Sequence, residues 1–216
     1  MKYTQIPTTT FKMLQLNAGI MLTSFDPSTA TVTNSNIFGA TTGGITFSAT
    51  PSFRDDGEDI DNCPKNMKEL KRLDSWEIKM SGTFITVDAA LVEMMFSAAD
   101  ITGTDVQKIT PRNDLALTDF KDIWFVGDYS DVNDDTNGGF IAIKLINALS
   151  TGGFQIKTAD RSKGQFAFEF TGHYSMSAQD VVPCEVYVKG STADSDDTDD
   201  TDDTDDTTDT TNGGNS

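Results

Sequence analysis

The stretch Gly164-Gln-Phe-Ala-Phe-Glu-Phe-Thr-Gly-His-Tyr-Ser175 decides which fold this chain can adopt. Its aromatic residues occupy every second position, at Phe166, Phe168 and Phe170, and Tyr174 follows in the same register. A period of two places alternate side chains on opposite faces of a β-strand, so the stretch predicts a strand with one aromatic face. Each buried phenylalanine removes roughly 150–250 Å² of surface from water, so the rest of the chain must supply a layer that covers this face.

Further strands are predicted on both sides of this stretch. Residues 76–84 and 182–188 alternate between apolar and polar side chains. The run Ile123-Trp-Phe-Val126 is apolar at every position, which is typical of a strand covered on both faces. Residues 140–146 are expected to pair with this run in a hairpin with a long acidic tip, residues 128–139.

One helix is predicted, and it follows the strand that ends at Phe84. Thr86 or Asp88 can cap its first turn, and Leu91, Met94, Met95 and Ala98 form a stripe at helical spacing. A methionine-rich stripe of this kind favours packing against a sheet. We expect the core to contain Trp76, Phe84, Leu91, Met94, Met95, Trp124, Phe166, Phe168 and Phe170.

Several segments give weaker expectations. Residues 11–25 predict two short strands or one bent strand, and residues 31–38 are β-prone. A strand with Ile45, Phe47 and Ala49 on one face is expected to end at Pro51, and residues 103–120 read as a polar link. Together these patterns predict an all-β sandwich or barrel with one flanking α-helix, formed by residues 1–190 with a polar arm at 1–10.

Residues 52–75 form a long connection with an unusual order of charges. An acidic run from Asp55 to Asp61 comes first and a mainly basic run from Lys65 to Arg72 follows, and Pro64 predicts one or two helical turns in the basic half. Loops of this length are usually functional or disordered. A bipolar loop suits head-to-tail self-association, and a solvated surface loop is the alternative. The charged residues that we expect to take part in such a contact are Asp55, Asp56, Glu58, Asp59, Asp61, Lys65, Lys68, Lys71 and Arg72.

Charge is concentrated at one end of the 216-residue chain, which has a net charge of −18. Residues 191–216 contain ten Asp, no Lys or Arg and no large apolar side chain, so we predict a disordered acidic tail. Residues 1–190 carry the remaining net charge of −8. This balance argues against sequence-independent nucleic-acid binding, which depends on Lys and Arg. The polar start Met1 to Pro7 and the lack of a long apolar run predict cytoplasmic synthesis without a membrane anchor.

Motifs for catalysis or cofactor binding are weak. His173 is the single histidine and lies on the polar register of the first stretch, without a nucleophile motif nearby. Asp131, Asn133 and Asp135 resemble the start of a calcium loop, but Thr136 replaces the turn glycine and Ala142 replaces the bidentate glutamate. Cys63 and Cys184 have no metal or redox spacing. We therefore expect no enzyme, no cofactor and no metal site.

A set of short strings, taken in order, resembles the major tail tube proteins of long-tailed bacteriophages. No single string is specific, but together they span nearly all of residues 11–190. They are Asn17-Ala-Gly19, Phe25-Asp-Pro27, Gly39-Ala-Thr-Thr-Gly-Gly44, Gly57-Glu-Asp-Ile-Asp-Asn-Cys-Pro-Lys-Asn66, Met80-Ser-Gly82, Thr86-Val-Asp88, Trp124-Phe-Val-Gly-Asp-Tyr-Ser130, Asn147-Ala-Leu-Ser-Thr-Gly-Gly-Phe154 and Lys163-Gly-Gln-Phe-Ala-Phe-Glu-Phe-Thr-Gly-His-Tyr174.

The resemblance implies a β-sandwich or barrel that assembles into hexameric rings. In that family the sheets of the subunits join into one inner barrel, and the rings stack into a tube through which viral DNA leaves the capsid. The implied partners are further copies of the chain and the tape measure, tail tip and tail terminator proteins. The implied location is the virion, after assembly in the bacterial cytoplasm. Residues 52–75 become the expected ring-stacking loop.

Two other functions remain open from the residues. A tube subunit of a contractile tail or injection device would share the fold, and a sheath gene beside this one would favour it. A surface β-sandwich that binds glycans would need an export signal or an exposed aromatic platform, and neither pattern stands out in the sequence.

Overall fold

The computed structural model of the chain describes residues 14–15, 17–128 and 139–190. Within these residues the chain is mostly β-strand with one α-helix, which confirms the predicted class at that level. The strands are β1 (Ile20–Leu22), β2 (Thr41–Asp55), β3 (Lys71–Phe84), β4 (Ala99–Thr102), β5 (Lys108–Pro111), β6 (Lys121–Asp128), β7 (Phe140–Ser150), β8 (Gln155–Lys157), β9 (Gln165–Thr171) and β10 (Cys184–Lys189). The helix is α1 (Ala89–Phe96), and short 3-10 turns occupy Asn34–Asn36 and Leu117–Asp119.

Eight strands form one antiparallel sheet that divides into two half-sheets at β7. The strand order is β1-β6-β7-β9-β3-β2, with β10 also on β7 and β8 also on β9. The first part of β7, Phe140–Leu145, lies between β6 and β10, whereas Leu149 and Ser150 pair with β9. The first half-sheet is therefore β1, β6, β7 and β10, and the second is β2, β3, β8 and β9. The described strands form no closed barrel, so that part of the prediction is not met within one chain.

The predicted aromatic strand is β9, and its aromatic face is buried. Phe166, Phe168 and Phe170 are 9, 4 and 0% exposed, while the residues between them are exposed or half-buried. The main core cluster combines these rings with side chains from both half-sheets and from α1. Phe84 stacks on Phe168 with ring centroids 4.4 Å apart. Of the expected core residues, Trp76 lies at the rim and is half-buried.

Strand β6 is covered on both faces, as its apolar run predicts. Ile123 and Phe125 belong to the main cluster, whereas Trp124 and Val126 belong to a second cluster on the opposite face. The cover over this second face includes Phe25, which meets Trp124 edge-to-face at 5.7 Å. Residues 31–38 were expected to be β-prone, but they form an irregular segment with a 3-10 turn and one bridge, Leu22 to Ile37.

Helix α1 begins where the capping residue predicts. The Asp88 carboxylate accepts the Leu91 N–H at 2.8 Å, which satisfies a backbone donor of the first turn. Leu91, Met94 and Met95 are buried in the main cluster. The helix ends at Ser97, which has a φ of 69°, so Ala98 lies outside the helix and does not continue the stripe.

Two expectations about regular structure are wrong. Strand β2 does not end at Pro51 but continues to Asp55, with Pro51 opposite Trp76. The Trp76 N–H donates to the Tyr174 hydroxyl at 3.0 Å, so this pair does not exchange hydrogen bonds and proline costs the ladder nothing. Within 103–120, the predicted polar link, lies strand β5, which pairs with β4 as a small second sheet.

Candidate assembly surface

The β2–β3 hairpin extends beyond the neighbouring strand of its half-sheet, β9. Strand β3 pairs with β9 only from Lys79 to Phe84, but it pairs with β2 as far as Lys71. The outer part of the hairpin is therefore a two-stranded ribbon. Phe53 and Leu73 lie opposite each other there and are 54 and 52% exposed. Two large apolar side chains on an uncovered ribbon indicate a surface that another molecule can cover.

The predicted 52–75 connection is shorter than expected, because its two ends extend β2 and β3. Residues 56–70 remain as the connection and form turns; one of them is a single helical turn in the basic half, where the Met67 carbonyl accepts the Lys71 N–H at 3.1 Å. Asn62 and Asn66 have positive φ values of 62° and 63°, which are incompatible with a continuous helix. The basic half is therefore a series of turns.

Asp55 closes this connection at its base. Its Oδ2 accepts the Asn66 N–H at 2.7 Å and its Oδ1 accepts the Gly57 N–H at 3.0 Å. These two bonds favour the charged carboxylate, and they hold the pKa of Asp55 below its usual value of 3.8, with the Asn66 bond as the larger cause. The sequence could not indicate this role, because Asp55 is one of several clustered carboxylates there.

A small apolar contact fills the interior of the connection. A Cβ on Gly57 would lie 2.6 Å from Leu70 Cδ1 and 3.0 Å from Cys63 Sγ. The Cys63 thiol lies 3.7 Å from the Met67 sulfur. Glycine at position 57 lets the two sides of the connection approach each other closely, and a larger residue there would displace the Leu70 and Cys63 side chains.

The acidic and basic halves of the connection lie side by side rather than at opposite ends. Lys65 approaches Glu58 at 3.9 Å, and Arg54 and Arg72 approach Asp56 at 3.2 and 3.6 Å. These pairs are exposed, so each contributes little to stability. Several of the charged residues expected to contact a neighbouring copy are therefore paired within the chain. Asp59 and Asp61 have no ion pair among the described residues. The ring-stacking role of these charged residues stays a prediction.

The outer edge of β2 has no strand partner among the described residues. Pro51 and Trp76 form a pair that does not exchange hydrogen bonds, and such pairs alternate with hydrogen-bonded pairs along an antiparallel ladder. Ile45, Phe47 and Ala49 are therefore also in non-hydrogen-bonded pairs, and their N–H and C=O groups point away from β3 to the free edge. An edge of this length is a template for adding another strand. A positive charge on this edge first appears at Arg54, near its end.

The second half-sheet has one uncovered face that is rich in hydroxyl groups. Thr46, Ser48 and Thr50 of β2 lie beside Ser81, Lys79 and Glu77 of β3, and Glu169 and Thr171 continue the row on β9. The Lys79 ammonium lies 2.6 Å from the Glu77 carboxylate, which raises the pKa of Lys79. Thr151 donates to Glu169 at 3.0 Å. The face is polar; Lys79 is paired with Glu77, and Lys157 lies on the same face at the β8 edge.

His173 supports the crossing of β7 between the half-sheets. It follows the end of β9, and its Nδ1 lies 3.2 Å from the carbonyl oxygen of Asn147, whose φ is 49°. Its ring meets Phe120 edge-to-face at 5.3 Å. These contacts are structural, and neither of them joins the His173 ring to a nucleophile or a carboxylate.

Cys63 and Cys184 are free thiols in separate parts of the fold. Burial raises the pKa of the Cys184 thiol, which makes it a poor nucleophile. In the described part of the chain, no cluster of three metal-ligating side chains occurs. The calcium-like string Asp131, Asn133 and Asp135, the hairpin tip, the 1–10 arm and the 191–216 tail lie outside the described residues. No helix within 14–15, 17–128 and 139–190 is long and apolar enough to cross a membrane.

Comparison of the chain with protein-family models and with curated proteins found no match in either set.

Proposed function

We propose that this chain is a structural subunit of a bacteriophage tail tube, which assembles with copies of itself into hexameric rings that stack into a conduit for viral DNA. The observation that carries the proposal is the β2–β3 hairpin, which leaves a long strand edge unpaired and extends beyond its own sheet. Among the described residues the free edge of β2 has no strand partner, and a repeating assembly would supply one.

Ring closure would join the two free sides of the second half-sheet. Its strand order runs from β2 at one edge to β8 at the other. Pairing β2 of one copy with β8 of the next is a heterologous contact, and such contacts close into a ring when the rotation between copies permits. The joined half-sheets would then form one barrel without exposed edges.

The hydroxyl-rich face of the second half-sheet fits the wall of such a conduit. Its charged groups on β3 and β9 are the carboxylates of Glu77 and Glu169 and the paired ammonium of Lys79, and Lys157 adds one basic side chain at the β8 edge. Nucleic acid binds where Lys and Arg neutralise phosphates, so a wall of hydroxyls and carboxylates would let DNA pass without binding.

Stacking of rings would use the 56–70 connection together with the exposed side chains of Phe53, Ile60 and Met67, which are 54, 55 and 39% exposed. Tape measure, tail tip and tail terminator proteins would be the further partners, and the assembled virion would be the final location after assembly in the host cytoplasm.

Negative-stain microscopy of the purified full chain tests this proposal. A variant with residues 56–70 replaced by Asn-Gly, which forms a two-residue hairpin turn, should form rings but no long tubes. Replacing residues 103–107 between β4 and β5 by the same turn is the matched control and should leave tubes intact. An intact chain that stays monomeric at high concentration would contradict the proposal, and tubes from the 56–70 variant would contradict the stacking role.

A further inference from the structure

An open cleft lies beside the base of the hairpin. Its volume is about 500 Å³, and it lies between residues 73–76 of β3 and the connection from β9 to β10. The apolar side chains that line it are Leu73, Trp76, Tyr174 and Val182. Leu73 is 52% and Tyr174 40% exposed, so these side chains have no cover of their own.

The charged groups of this cleft are all acidic. Asp74 and Asp180 line it, and no Lys or Arg does. Asp74 has a distant contact with Arg54 at 3.7 Å, while Asp180 has no ion pair among the described residues. An occupant should therefore combine large apolar side chains with positive charge.

We propose that residues 1–13 of the same chain fold back and occupy this cleft. The chain has three longer segments outside the described residues, and only this one has suitable chemistry. Residues 129–138 contain three Asp and no Lys or Arg, and residues 191–216 contain ten Asp. Residues 1–13 contain two lysines and no acidic residue, with Lys2 beside Tyr3 and Lys12 between Phe11 and Met13.

The point where this segment joins the fold allows it to reach the cleft. The Gln15 side chain lies against Gly127, and Asn17 donates to the Asp128 carboxylate at 2.7 Å, at the end of β6. From there to the cleft the path crosses β7 and β10 and runs part of a strand length, a distance on the order of 20 Å. Residues 1–13 span roughly 43–47 Å when extended. Tethering within this reach favours the intramolecular contact over contact with a second copy at low concentration.

This inference does not depend on the proposed function, because it concerns the unassembled chain. In this arrangement residues 1–13 would cover Trp76, which lies half-buried at the rim of the main core cluster. Lys2 and Lys12 would pair with Asp74 and Asp180. Asp180 has no other ion pair among the described residues, and Asp74 has only the 3.7 Å contact with Arg54.

Photo-crosslinking of the full chain tests the inference. Benzoylphenylalanine replaces Phe11, and the experiment uses an equal mixture of isotopically heavy and light copies at a concentration where sedimentation gives the monomer. Crosslinks to peptides that contain residues 73–76 or 174–182, within copies of one isotope, are expected. Crosslinks to other peptides, mixed-isotope crosslinks alone, or none at all would overturn the inference.

Amide hydrogen exchange provides a second readout that does not depend on a truncation. The charge reversal Lys12→Glu should speed exchange at residues 73–76 about tenfold, since it removes a contact that protects them locally. Asp180→Lys in the same chain should restore slow exchange, while Thr9→Glu, which adds a carboxylate without removing a lysine, should have a smaller effect. Unchanged exchange in Lys12→Glu, or no restoration by Asp180→Lys, would count against the inference.

Discussion

The carboxylate of Asp55 fixes the backbone of Asn66 across the long connection: its Oδ2 accepts the Asn66 N–H at 2.7 Å. The second carboxylate oxygen accepts the Gly57 N–H at 3.0 Å. One side chain at the end of β2 thus binds both sides of a segment that the charge pattern alone would describe as a solvated loop. The connection therefore has a defined shape to present to another subunit.

Substituting Asp55→Asn should loosen this connection. The amide side chain offers one acceptor oxygen in place of two, so at least one of the two backbone donors loses its partner. Hydrogen exchange at Gly57 and Asn66 should become faster, while exchange in β6 and β7 should not change. Asp61→Asn removes the same charge without removing these bonds and is the control; equal loosening by both variants would assign the effect to charge alone.

Acid should release the same contact. The folded-state pKa of Asp55 is lower than its usual 3.8, so the contribution to stability is fully present above pH 3.8 and is lost as pH falls through the lower folded value. Chemical shifts of the Asn66 amide, followed from pH 6 to pH 2, should change with a midpoint below 3.8. A midpoint at or above that value would mean that the two hydrogen bonds do not form in solution.

Truncating the aromatic face of β9 should be costly. Phe170 is 0% exposed, and Phe170→Ala should destabilise the subunit by about 3–5 kcal/mol in urea unfolding because it leaves a cavity. Phe53→Ala is the matched control, since Phe53 is 54% exposed on the hairpin, and it should change subunit stability by less than about 1 kcal/mol. Similar losses from both variants would contradict the position of the core.

A methyl group at position 57 should disturb the connection. In Gly57→Ala the new Cβ would meet Leu70 at 2.6 Å and Cys63 at 3.0 Å, so the expected loss is about 1–3 kcal/mol or a local opening of residues 56–70. Gly164→Ala is the control, because the nearest atom to its Cβ lies at 3.8 Å. Thermal unfolding measures a global loss of stability, and hydrogen exchange at residues 56–70 detects a local opening. If Gly57→Ala changes neither measurement, the contact is loose.

Local patterns were sufficient for the elements that carry strong periodicity. The alternation of Phe166, Phe168 and Phe170 predicts both β9 and its buried face, and Asp88 with Leu91, Met94 and Met95 predicts α1. The run at 123–126 predicts a strand buried on both faces, which β6 is. These patterns act within one element, so they can be recognised without knowledge of its neighbours.

Features that depend on distant partners were beyond local patterns. Pro51 reads as a strand end, and only the pairing of Trp76 with Tyr174 explains why the strand continues through it. The crossing of β7 at Asn147 depends on His173 and on Asp122, which accepts the Asn147 N–H at 3.1 Å. The closure by Asp55 depends on the positive φ of Asn66, which no charge pattern encodes.

The most direct measurement of self-assembly concerns the free edge of β2. Ala49 directs its backbone N–H to this edge, so Ala49→Pro removes a donor for a neighbouring strand without touching the hydrogen bonds to β3. Ala49→Val keeps the donor and suits a strand, and it is the matched control. Circular dichroism should show that both variants are folded. Size-exclusion chromatography and negative-stain microscopy should then find rings and tubes for the intact chain and Ala49→Val, but single subunits for Ala49→Pro. Rings from Ala49→Pro at the yield of the intact chain would contradict assembly through this edge.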